Sequence, residues 1–365
     1  MRIGIITFQR AYSYGAKLQA YALSTYLCSL GHKAEVIDYS NIGEGKAPGI
    51  RLSGLREIVK SSISYLNSLG KESKRRKRLQ SFFLDETPHS DKRYLDSTAL
   101  ESLNSKYDIF IAGSDQVWCP RYNLGDLNFL LDFVKDPHKK FSYAASFGFA
   151  DIDEEYRVSY ANCLNSFNRI LVREAEGAKI VKELTGKQAE VVLDPTFLID
   201  KSHWEHVAKY PFKKRFPYIL CFKILSVSPT YQKLIDHLHR ITGYKIVTIN
   251  TSYRYKPIKG ILYSTAGPKE FLGLIKNAEI VITNSFHATV FSILFNKDFY
   301  TVLNDNGLNS RMTNLSAQLG LSKRMIDKLS LMPNFEDLSI DYTMANTRLS
   351  ESIQHSKQLL NEILQ

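Results

Sequence analysis

The sequence predicts an α/β protein with two domains, each built on a mostly parallel sheet. A compact apolar run at Ile3–Phe8, a helical stretch from about Gly15 to Leu30 and a second strand at Ala34–Tyr39 form a βαβ unit at the start of the chain. Strands alternating with helices resume after a proline-bounded basic stretch at 211–217. The length of 365 residues exceeds one ordinary core and suits two domains.

The first domain is predicted to cover residues 1–210. Gly31 is positioned to end the first helix, because glycine tolerates the left-handed conformation of a helix cap. Residues 41–100 are polar and charged and are predicted to form helices and loops. Beyond them the pattern predicts a helix at Glu174–Leu184 and strands at Asp108–Ala112, Lys140–Ser146, Arg169–Val172 and Glu190–Leu193.

The second domain is predicted over residues 217–342, with 211–217 as the linker between the domains. An amphipathic stripe predicts a final helix within 343–365 that packs back on the first domain. The stripe consists of Leu349, Ile353, Leu360 and Leu364. The second domain is predicted to contain strands at Tyr218–Leu225, Tyr244–Ile249, Glu279–Thr283 and Phe299–Leu303 and helices at Thr230–Thr242, Pro268–Asn277 and Ser285–Phe295.

A formal charge of +11 favours anionic partners. The densest basic run, Lys71–Arg78, fits either a solvated helix face or contact with a lipid-linked anionic acceptor or the inner membrane leaflet. No nucleic-acid-binding motif accompanies this run, so we do not predict nucleic acid as a partner. Neither GxGxxG nor a Walker A sequence is present, which disfavours a nicotinamide enzyme or a P-loop kinase.

Cysteine usage and hydropathy predict a cytoplasmic protein with free thiols. The four cysteines are widely spaced, without CxxC or a Cys/His cluster, so a structural zinc site is not expected. Met1–Phe8 is too short and too strand-like for a signal peptide. No apolar run approaches the roughly 20 residues of a membrane span.

Several polar clusters follow predicted strands of the first domain, where ligands of open parallel sheets bind. Asp115 and Trp118 fit either a hydroxyl acceptor beside a sugar-stacking face, or a turn in which the carboxylate caps backbone donors and the indole packs. An ion pair is the ordinary role of Arg173 beside Glu174. The other candidates near the same strand ends are Tyr14, Gln19, Gln116, Ser146 and Asp194.

The sharpest candidate lies in the second domain, at Thr283–Thr289. Asn284 or Ser285 can cap the helix that starts here, and His287 falls in its first turn. A helix N-terminus binds anions through its free N–H groups and its dipole. A bound anionic donor would favour protonated His287, which makes this residue a candidate general acid, although a lone histidine is more often structural.

Taken together, these clusters resemble the polysaccharide pyruvyl transferase family over roughly residues 3–325. Three departures from the family pattern are Ser13 and Cys119 in place of asparagine and Ala288 in place of glycine. Other branches carry a serine–arginine–histidine motif, whereas Phe286 stands here between Ser285 and His287. The resemblance is carried by Gly4–Phe8, Tyr14–Leu23, Gly113–Trp118, Ser142–Gly148, Val172–Glu174, Leu193–Thr196, Gly267-Pro268, Glu270-Phe271 and Thr283–His287.

The resemblance implies a glycosyltransferase-B-like fold, in which two Rossmann-like domains face a cleft. It also implies transfer of pyruvate from phosphoenolpyruvate to two hydroxyls of a sugar in a lipid-linked polysaccharide repeat unit, giving a cyclic ketal. His287 would be the acid, and Asp115 would orient the acceptor or act as the base. The donor is expected on the second domain and the acceptor on the first. Donor contacts are expected from Asn284, Ser285, Lys223, Arg311 and Arg173, and acceptor contacts from Tyr14, Gln19, Gln116, Trp118, Ser146 and Asp194.

This scheme needs neither a metal nor a cofactor, because phosphoenolpyruvate is a co-substrate. The expected location is the cytoplasm, with peripheral contact at the inner membrane face through residues 71–78. Two alternatives remain at this stage: a nucleotide-sugar-dependent glycosyltransferase of the same fold, and a non-catalytic glycan-binding subunit.

Overall fold

The computed structural model describes residues 1–40, 58–224, 229–249, 260–304, 309–328, 330 and 332–365. The chain divides into two units, each with its own parallel sheet. The first unit combines Met1–Gly45, Ser81–Asp200 and Thr347–Gln365, and the second combines Lys46–Gln80 with Lys201–Asn346. The predicted fold class, α/β with two Rossmann-like halves, is therefore confirmed.

The sheet of the first unit has seven strands, and all of its strand pairs are parallel. Its strands are β1 (Arg2–Ile6), β2 (Lys33–Tyr39), β3 (His89–Tyr94), β4 (Ile109–Ala112), β5 (Lys140–Ala145), β6 (Arg169–Val172) and β7 (Glu190–Val191). Their order in space is β3-β2-β1-β4-β5-β6-β7. The chain runs outward from β1 to β3 and then returns to the other side of β1, so the strand order reverses between β1 and β4. Ligands of such sheets bind beyond the carboxyl ends at this reversal point.

Helices cover this sheet. They are α1 (Tyr14–Ser29), the end of α2 (Ile58–Glu86), α3 (Ser97–Glu101), α4 (Pro120–Asn123), α5 (Glu154–Asn165) and α6 (Ala175–Thr185). The Ser13 hydroxyl caps α1 by accepting from the Ala16 N–H at 3.5 Å. Gly31, with φ of 85°, follows the helix in the left-handed conformation, as predicted.

Strand β3 was not expected, because 89–94 falls in the segment predicted to hold helices and loops. It is an edge strand of the sheet, so it pairs on one side only, and three of its six residues, Asp91, Lys92 and Arg93, are exposed and charged. An edge strand of this kind lacks the apolar run that identifies the inner strands.

The C-terminal helix α12 (Thr343–Ile363) joins the first unit from Thr347 onward. Leu349 and Leu360 of the predicted stripe are buried. The Ser356 hydroxyl accepts from the Leu193 N–H at 3.0 Å. These contacts hold the helix beside the chain that follows β7.

The second unit repeats the same strand order. Its strands are β8 (Tyr218–Phe222), β9 (Lys245–Ile249), β10 (Ile261–Leu262), β11 (Ile280–Thr283), β12 (Asp298–Val302) and β13 (Met325–Ile326), in the order β10-β9-β8-β11-β12-β13. The order therefore reverses between β8 and β11. The helices are α7 (Lys201–Val207), α8 (Pro229–Thr242), α9 (Pro268–Lys276), α10 (Phe286–Leu294) and α11 (Ser310–Gln318).

After Asp200 the chain passes to the second unit at Lys201, before the stretch 211–217 that was predicted to be the linker. The reason is the packing of α7, because Trp204 is fully buried and its ring centre lies 5.0 Å from that of Phe291. The Lys209 N–H then donates to the Lys269 carbonyl at 2.8 Å. Residues 201–217 are consequently part of the second unit.

The basic run 71–78 in α2 is only partly a solvated face. Arg75 is buried, Arg76 pairs with Glu72, and Arg78 pairs with Glu270 at 3.2 Å. Gly267 permits this approach, because a Cβ there would lie 2.8 Å from the Cβ of Arg78. The exposed cations of the run are Lys71, Lys74 and Lys77. No helix in the described ranges combines the length and apolar character needed to cross a bilayer.

Candidate active site

A buried polar network lies at the carboxyl edge of the first sheet. The Ser114 hydroxyl, just after β4, donates to Asp194 Oδ2 at 2.9 Å. Arg173, just after β6, donates from Nη1 to the same oxygen at 3.1 Å. Asp194 Oδ1 in turn accepts from the Thr196 N–H and hydroxyl at 3.1 and 2.8 Å. Side chains that follow three different strands are therefore joined at one point.

Arg173 is surrounded by three carboxylates. Besides Asp194, its guanidinium lies 3.7 Å from Glu174 Oε2 and 3.8 Å from Asp115 Oδ1. Its side chain is only 2% exposed. Burial lowers the pKa of the guanidinium, but the carboxylates of Asp194, Glu174 and Asp115 outweigh this effect and raise it. The arginine stays charged, and the three acids outnumber it at this edge of the sheet.

Asp115 is the most accessible of these acids, with 17% of its side chain exposed. Its φ of 78° is uncommon for a residue with a side chain. The conformation is held by pairing with β5, since the Ser146 N–H donates to the Asp115 carbonyl at 3.1 Å. Strained residues of this kind concentrate at functional sites. Asp115 is thus a fixed carboxylate beside a buried cation.

Gln116 and Ser146 flank Asp115. Gln116 is half-buried, and its amide lies so close to Gly148 that a Cβ there would be 1.8 Å from Gln116 Nε2. The Ser146 hydroxyl donates to Glu174 Oε1 at 2.6 Å and accepts from the Gly148 N–H at 3.1 Å. Gly148, at φ of 73°, is needed here both for its backbone conformation and for the space it leaves.

The structure assigns Trp118 to the core and not to a sugar-stacking surface. The indole has no exposed area, its N–H donates to the Phe129 carbonyl at 3.0 Å, and its ring packs against Phe147 and Phe167. Of the two interpretations of the sequence, the turn is the one observed, because the Asp115 Oδ1 accepts from the Gln116 N–H at 2.9 Å and the indole packs in the core.

Most other predicted acceptor residues are also enclosed. Gln19 donates to the Thr7 hydroxyl at 2.8 Å, and Thr7 donates to the Ser114 carbonyl at 2.8 Å, which ties α1 to the ends of β1 and β4. Tyr14, Gln19, Ser146 and Asp194 are all buried. They support the edge of the sheet, whereas Asp115 and Gln116 keep accessible surface.

Asn284 organises the carboxyl edge of the second sheet. Its Oδ1 accepts from the Ile224 N–H and its Nδ2 donates to the Ile224 carbonyl, both at 2.7 Å. The same Nδ2 donates to Asn304 Oδ1 at 3.1 Å. Asn284 therefore clamps together the segments that follow β8, β11 and β12, at the point where the strand order reverses.

His287 lies in the first turn of α10. Ser285 is the N-cap, and its hydroxyl accepts from the Ala288 N–H at 3.4 Å. The His287 side chain is mostly buried and its ring centre lies 5.2 Å from that of Phe286. The predicted juxtaposition of a capping serine, a histidine and a helix N-terminus is present.

Two cations belong to the same part of the second unit. Phe222 pairs with Thr283, so the next residues, Lys223 and Asn284, lie side by side beyond the strands. Burial lowers the pKa of the Lys223 ammonium. Arg311, in the first turn of α11, has its guanidinium carbon 5.8 Å from the centre of the Phe286 ring. Of the predicted donor residues, Arg173 alone belongs to the first unit.

Residues that complete these edges were not identified from the sequence. Asn309, the N-cap of the helix α11 that bears Arg311, accepts from the Asn304 N–H and donates to the Asn304 carbonyl, both at 2.8 Å. Asn304 comes two residues after β12, so the rule that ligands meet strand ends would have identified it. Thr7, which follows β1, could have been found by the same rule.

Comparisons with known proteins agree with this architecture. A model of the family described as polysaccharide pyruvyl transferase matches residues 14–306. No curated protein matches the sequence. A Listeria monocytogenes protein assigned as a UDP-N-acetylglucosamine 2-epimerase is 11% identical, covers 98% of this chain and 90% of its own, and has a TM-score of 0.51.

The UDP-N-acetylglucosamine 2-epimerase of Methanocaldococcus jannaschii is 10% identical, with 97% and 92% covered and a TM-score of 0.50. At these identities the likeness concerns the fold alone. The fold is of the glycosyltransferase-B type, with two parallel α/β units.

Proposed function

The chain belongs to the polysaccharide pyruvyl transferase family, and we propose that it transfers pyruvate from phosphoenolpyruvate to two hydroxyls of one sugar as a cyclic ketal. We propose that the acceptor is a lipid-linked repeat unit of a capsular or other surface polysaccharide, modified on the cytoplasmic side. Family membership supports transfer of pyruvate to a polysaccharide, and the site chemistry supports the finer proposal.

The observation that carries the proposal is the group of side chains at the reversal point of the second sheet. Asn284 and Ser285 fix the start of α10, where free N–H groups and the helix dipole favour an anion. Lys223 and Arg311 are cations beside the same segment. Phosphoenolpyruvate carries a phosphate and a carboxylate, and such charges need hydrogen-bonded partners once they leave water. We therefore assign the donor to the second unit.

The reaction needs one proton delivered to carbon and one removed from each hydroxyl. In our scheme His287 protonates the methylene carbon, and the first sugar hydroxyl bonds to the adjacent carbon. The carbon–oxygen bond to phosphate then breaks, and the second hydroxyl completes the ketal. One hydroxyl proton replaces the proton that His287 gave, and the other leaves with inorganic phosphate. General acid–base help of this kind contributes typically about 10²–10⁴-fold.

In this scheme the residues that bind the sugar acceptor belong to the first unit. Asp115 is the accessible carboxylate of the network around Arg173 and would orient a hydroxyl or take its proton. Holding two hydroxyls against one carbon is mainly an entropic task, which suits a carboxylate fixed by its backbone. Gln116 is the second residue proposed to contact the sugar. No step of the scheme requires a metal.

The test is a transfer assay with the purified chain. Oligosaccharide acceptors would be incubated with phosphoenolpyruvate or, separately, with a panel of nucleotide sugars. We expect the acceptor to gain the mass of one pyruvate less one water, with release of one inorganic phosphate. This should occur only in the reaction that contains phosphoenolpyruvate. Sugar transfer from a nucleotide donor, or glycan binding without donor turnover, would contradict the proposal.

A further inference from the structure

The backbone N–H of Leu193 is bonded by the C-terminal helix instead of by a strand. Strand β7 lies at the edge of the first sheet, and the N–H groups along an edge point alternately toward the neighbouring strand and away from the sheet. The Val192 N–H donates to the Val172 carbonyl of β6 at 2.9 Å, so the next N–H points outward. There the Leu193 N–H donates to the Ser356 hydroxyl of α12 at 3.0 Å. Ser356 therefore supplies the acceptor that a further strand would supply.

The Ser356 hydroxyl is held in one orientation. Ser356 is only 1% exposed, and its hydroxyl donates to the Ser352 carbonyl, one turn earlier in α12, at 2.8 Å. Because a hydroxyl has a single hydrogen, this bond leaves the oxygen lone pairs to accept from Leu193. A buried N–H that loses its acceptor is costly, so the bond to Ser356 fixes the backbone at Leu193.

Leu193 immediately precedes Asp194, the centre of the buried network on the first sheet. The Asp194 side chain has no exposed area, and its Oδ2 accepts from Arg173 Nη1 at 3.1 Å. The same guanidinium lies 3.8 Å from Asp115 Oδ1. A shift of the backbone at Leu193 would therefore move Asp194 and, through the buried arginine, the surroundings of Asp115.

The helix α12 is also docked by contacts that do not involve Ser356. Glu362 Oε2 lies 2.6 Å from Arg169 Nη1 at an exposed position. Four apolar side chains of the helix are buried, namely Leu349, Leu359, Leu360 and Ile363. Replacing Ser356 with alanine would remove one hydrogen-bond acceptor and leave these contacts in place.

We propose that Ser356 is a positioning residue for Asp115. It acts through the backbone at Leu193 and then through the pair of Asp194 with Arg173. Because Ser356 is buried, it would influence the acceptor without touching the sugar. The role given to Asp115 rests on the proposed function, whereas the link from Ser356 to Asp194 holds whatever the reaction.

The first test is a transfer assay with Ser356→Ala in the full chain. We expect kcat to fall by roughly tenfold, since a misplacement of 1 Å can cost about 100-fold, while the dissociation constant of phosphoenolpyruvate stays unchanged. The matched controls are Ser350→Ala, the same substitution at an exposed position of α12, and Glu362→Gln, which loosens the helix at its exposed ion pair. Both should keep kcat within about twofold of the parent. A normal kcat in Ser356→Ala, or an equal loss in Glu362→Gln, would overturn the proposal.

The second test is a double-variant cycle of stability, which does not depend on transfer. It compares the unfolding equilibrium constants of Ser356→Ala, Asp194→Asn and the double variant. Independent sites would multiply their effects, whereas we expect the double variant to be at least about threefold more stable than that product. Ser114→Ala, which removes the 2.9 Å donor to Asp194 Oδ2, replaces Asp194→Asn if that variant does not fold.

The cycle separates this inference from the proposed function. Effects that multiply would overturn the link between Ser356 and Asp194 even in a chain that transfers pyruvate. Coupling in a chain that transfers no pyruvate would support the link and overturn only the proposed reaction.

Discussion

The guanidinium carbon of Arg311 lies 5.8 Å from the centre of the Phe286 ring. Phe286 occupies the position at which other branches of the family carry the arginine of a serine–arginine–histidine motif. A cation from α11 is therefore found against the side chain that replaces that arginine. Arg311 lies in the first turn of α11, and the N-cap of that helix, Asn309, exchanges two hydrogen bonds with Asn304. We infer that Arg311 supplies the charge that Phe286 cannot.

Arg311→Gln is expected to raise the dissociation constant of phosphoenolpyruvate by about tenfold or more. A charge-assisted hydrogen bond contributes roughly 1.5–3 kcal/mol, which sets this magnitude. Calorimetric titration would measure it, with Arg240→Gln, an exposed arginine at the end of α8, as the control. The double variant F286R/R311Q should recover part of the affinity. Unchanged donor affinity in Arg311→Gln would remove this residue from the donor site.

Lys223 is expected to set the upper end of the pH range in which the donor site binds phosphoenolpyruvate tightly. Its burial lowers its pKa below 10.5, so it loses its charge at a lower pH than an ordinary lysine. An anionic donor binds the charged form, so affinity is present below the folded pKa and falls as pH rises through it. We expect the dissociation constant of phosphoenolpyruvate to rise on the alkaline side, and Lys223→Met to bind more weakly with a flatter alkaline limb. An unaltered limb in Lys223→Met would contradict the assignment.

His287→Ala should abolish most transfer while the protein stays folded. Loss of a general acid is expected to lower kcat by about 10²–10⁴-fold. Because His287 is mostly buried, His287→Gln should be tested too, since it leaves a smaller cavity. His206→Ala, an exposed histidine of α7, is the control. Near-normal kcat in folded His287→Ala and His287→Gln proteins would end the general-acid assignment.

The inner strands and their alternation with helices could be predicted from the sequence, because each inner strand is a short apolar run bounded by polar residues. Of the four edge strands, β7 was predicted, whereas β3, β10 and β13 were not. Strand β3 is polar on its exposed side, and β10 and β13 are two residues each, which is too short for a periodic signal. The boundary at Lys201 depends on Trp204 packing against Phe291, a contact that local sequence patterns do not contain.

The positions of the candidate site residues could be predicted from the sequence, but their roles could not. Strand ends identified Asp115, Asp194, Asn284 and His287, because polar residues after buried strands are visible in the sequence. Spacing did not reveal which side chains are enclosed, so Trp118 and Gln19 were assigned to substrate although they are buried. Burial depends on how α1 and the loops pack on the sheet, which is a tertiary property.

Asp115→Asn tests the acceptor assignment. We expect kcat to fall by about 10²-fold or more, because an amide cannot take a hydroxyl proton, with little change in the affinity for phosphoenolpyruvate. Glu155→Gln, at the exposed start of α5, is a control of the same charge change. Kinetics and donor titration on the same preparations separate the two effects. Lost donor binding with unchanged acceptor binding would reverse the assignment of the two units.

Arg173→Met tests whether the buried network is held by charge balance. The substitution would leave Asp194, Glu174 and Asp115 together without their cation. Removing one partner of a buried ionic group typically costs about 3–5 kcal/mol, so we expect that loss in the free energy of unfolding near neutral pH.

Arg169→Met is the matched control for this prediction. Arg169 begins β6, the strand that Arg173 follows, and it pairs with Glu190 at 2.8 Å and Glu362 at 2.6 Å in a more exposed setting. Exposed ion pairs contribute about 0–1 kcal/mol. Denaturant unfolding of both variants near neutral pH measures the difference. If Arg173→Met lost no more stability than Arg169→Met, the three carboxylates would not depend on Arg173 for their burial. Asp115 would then have to be held by its pairing with β5 alone.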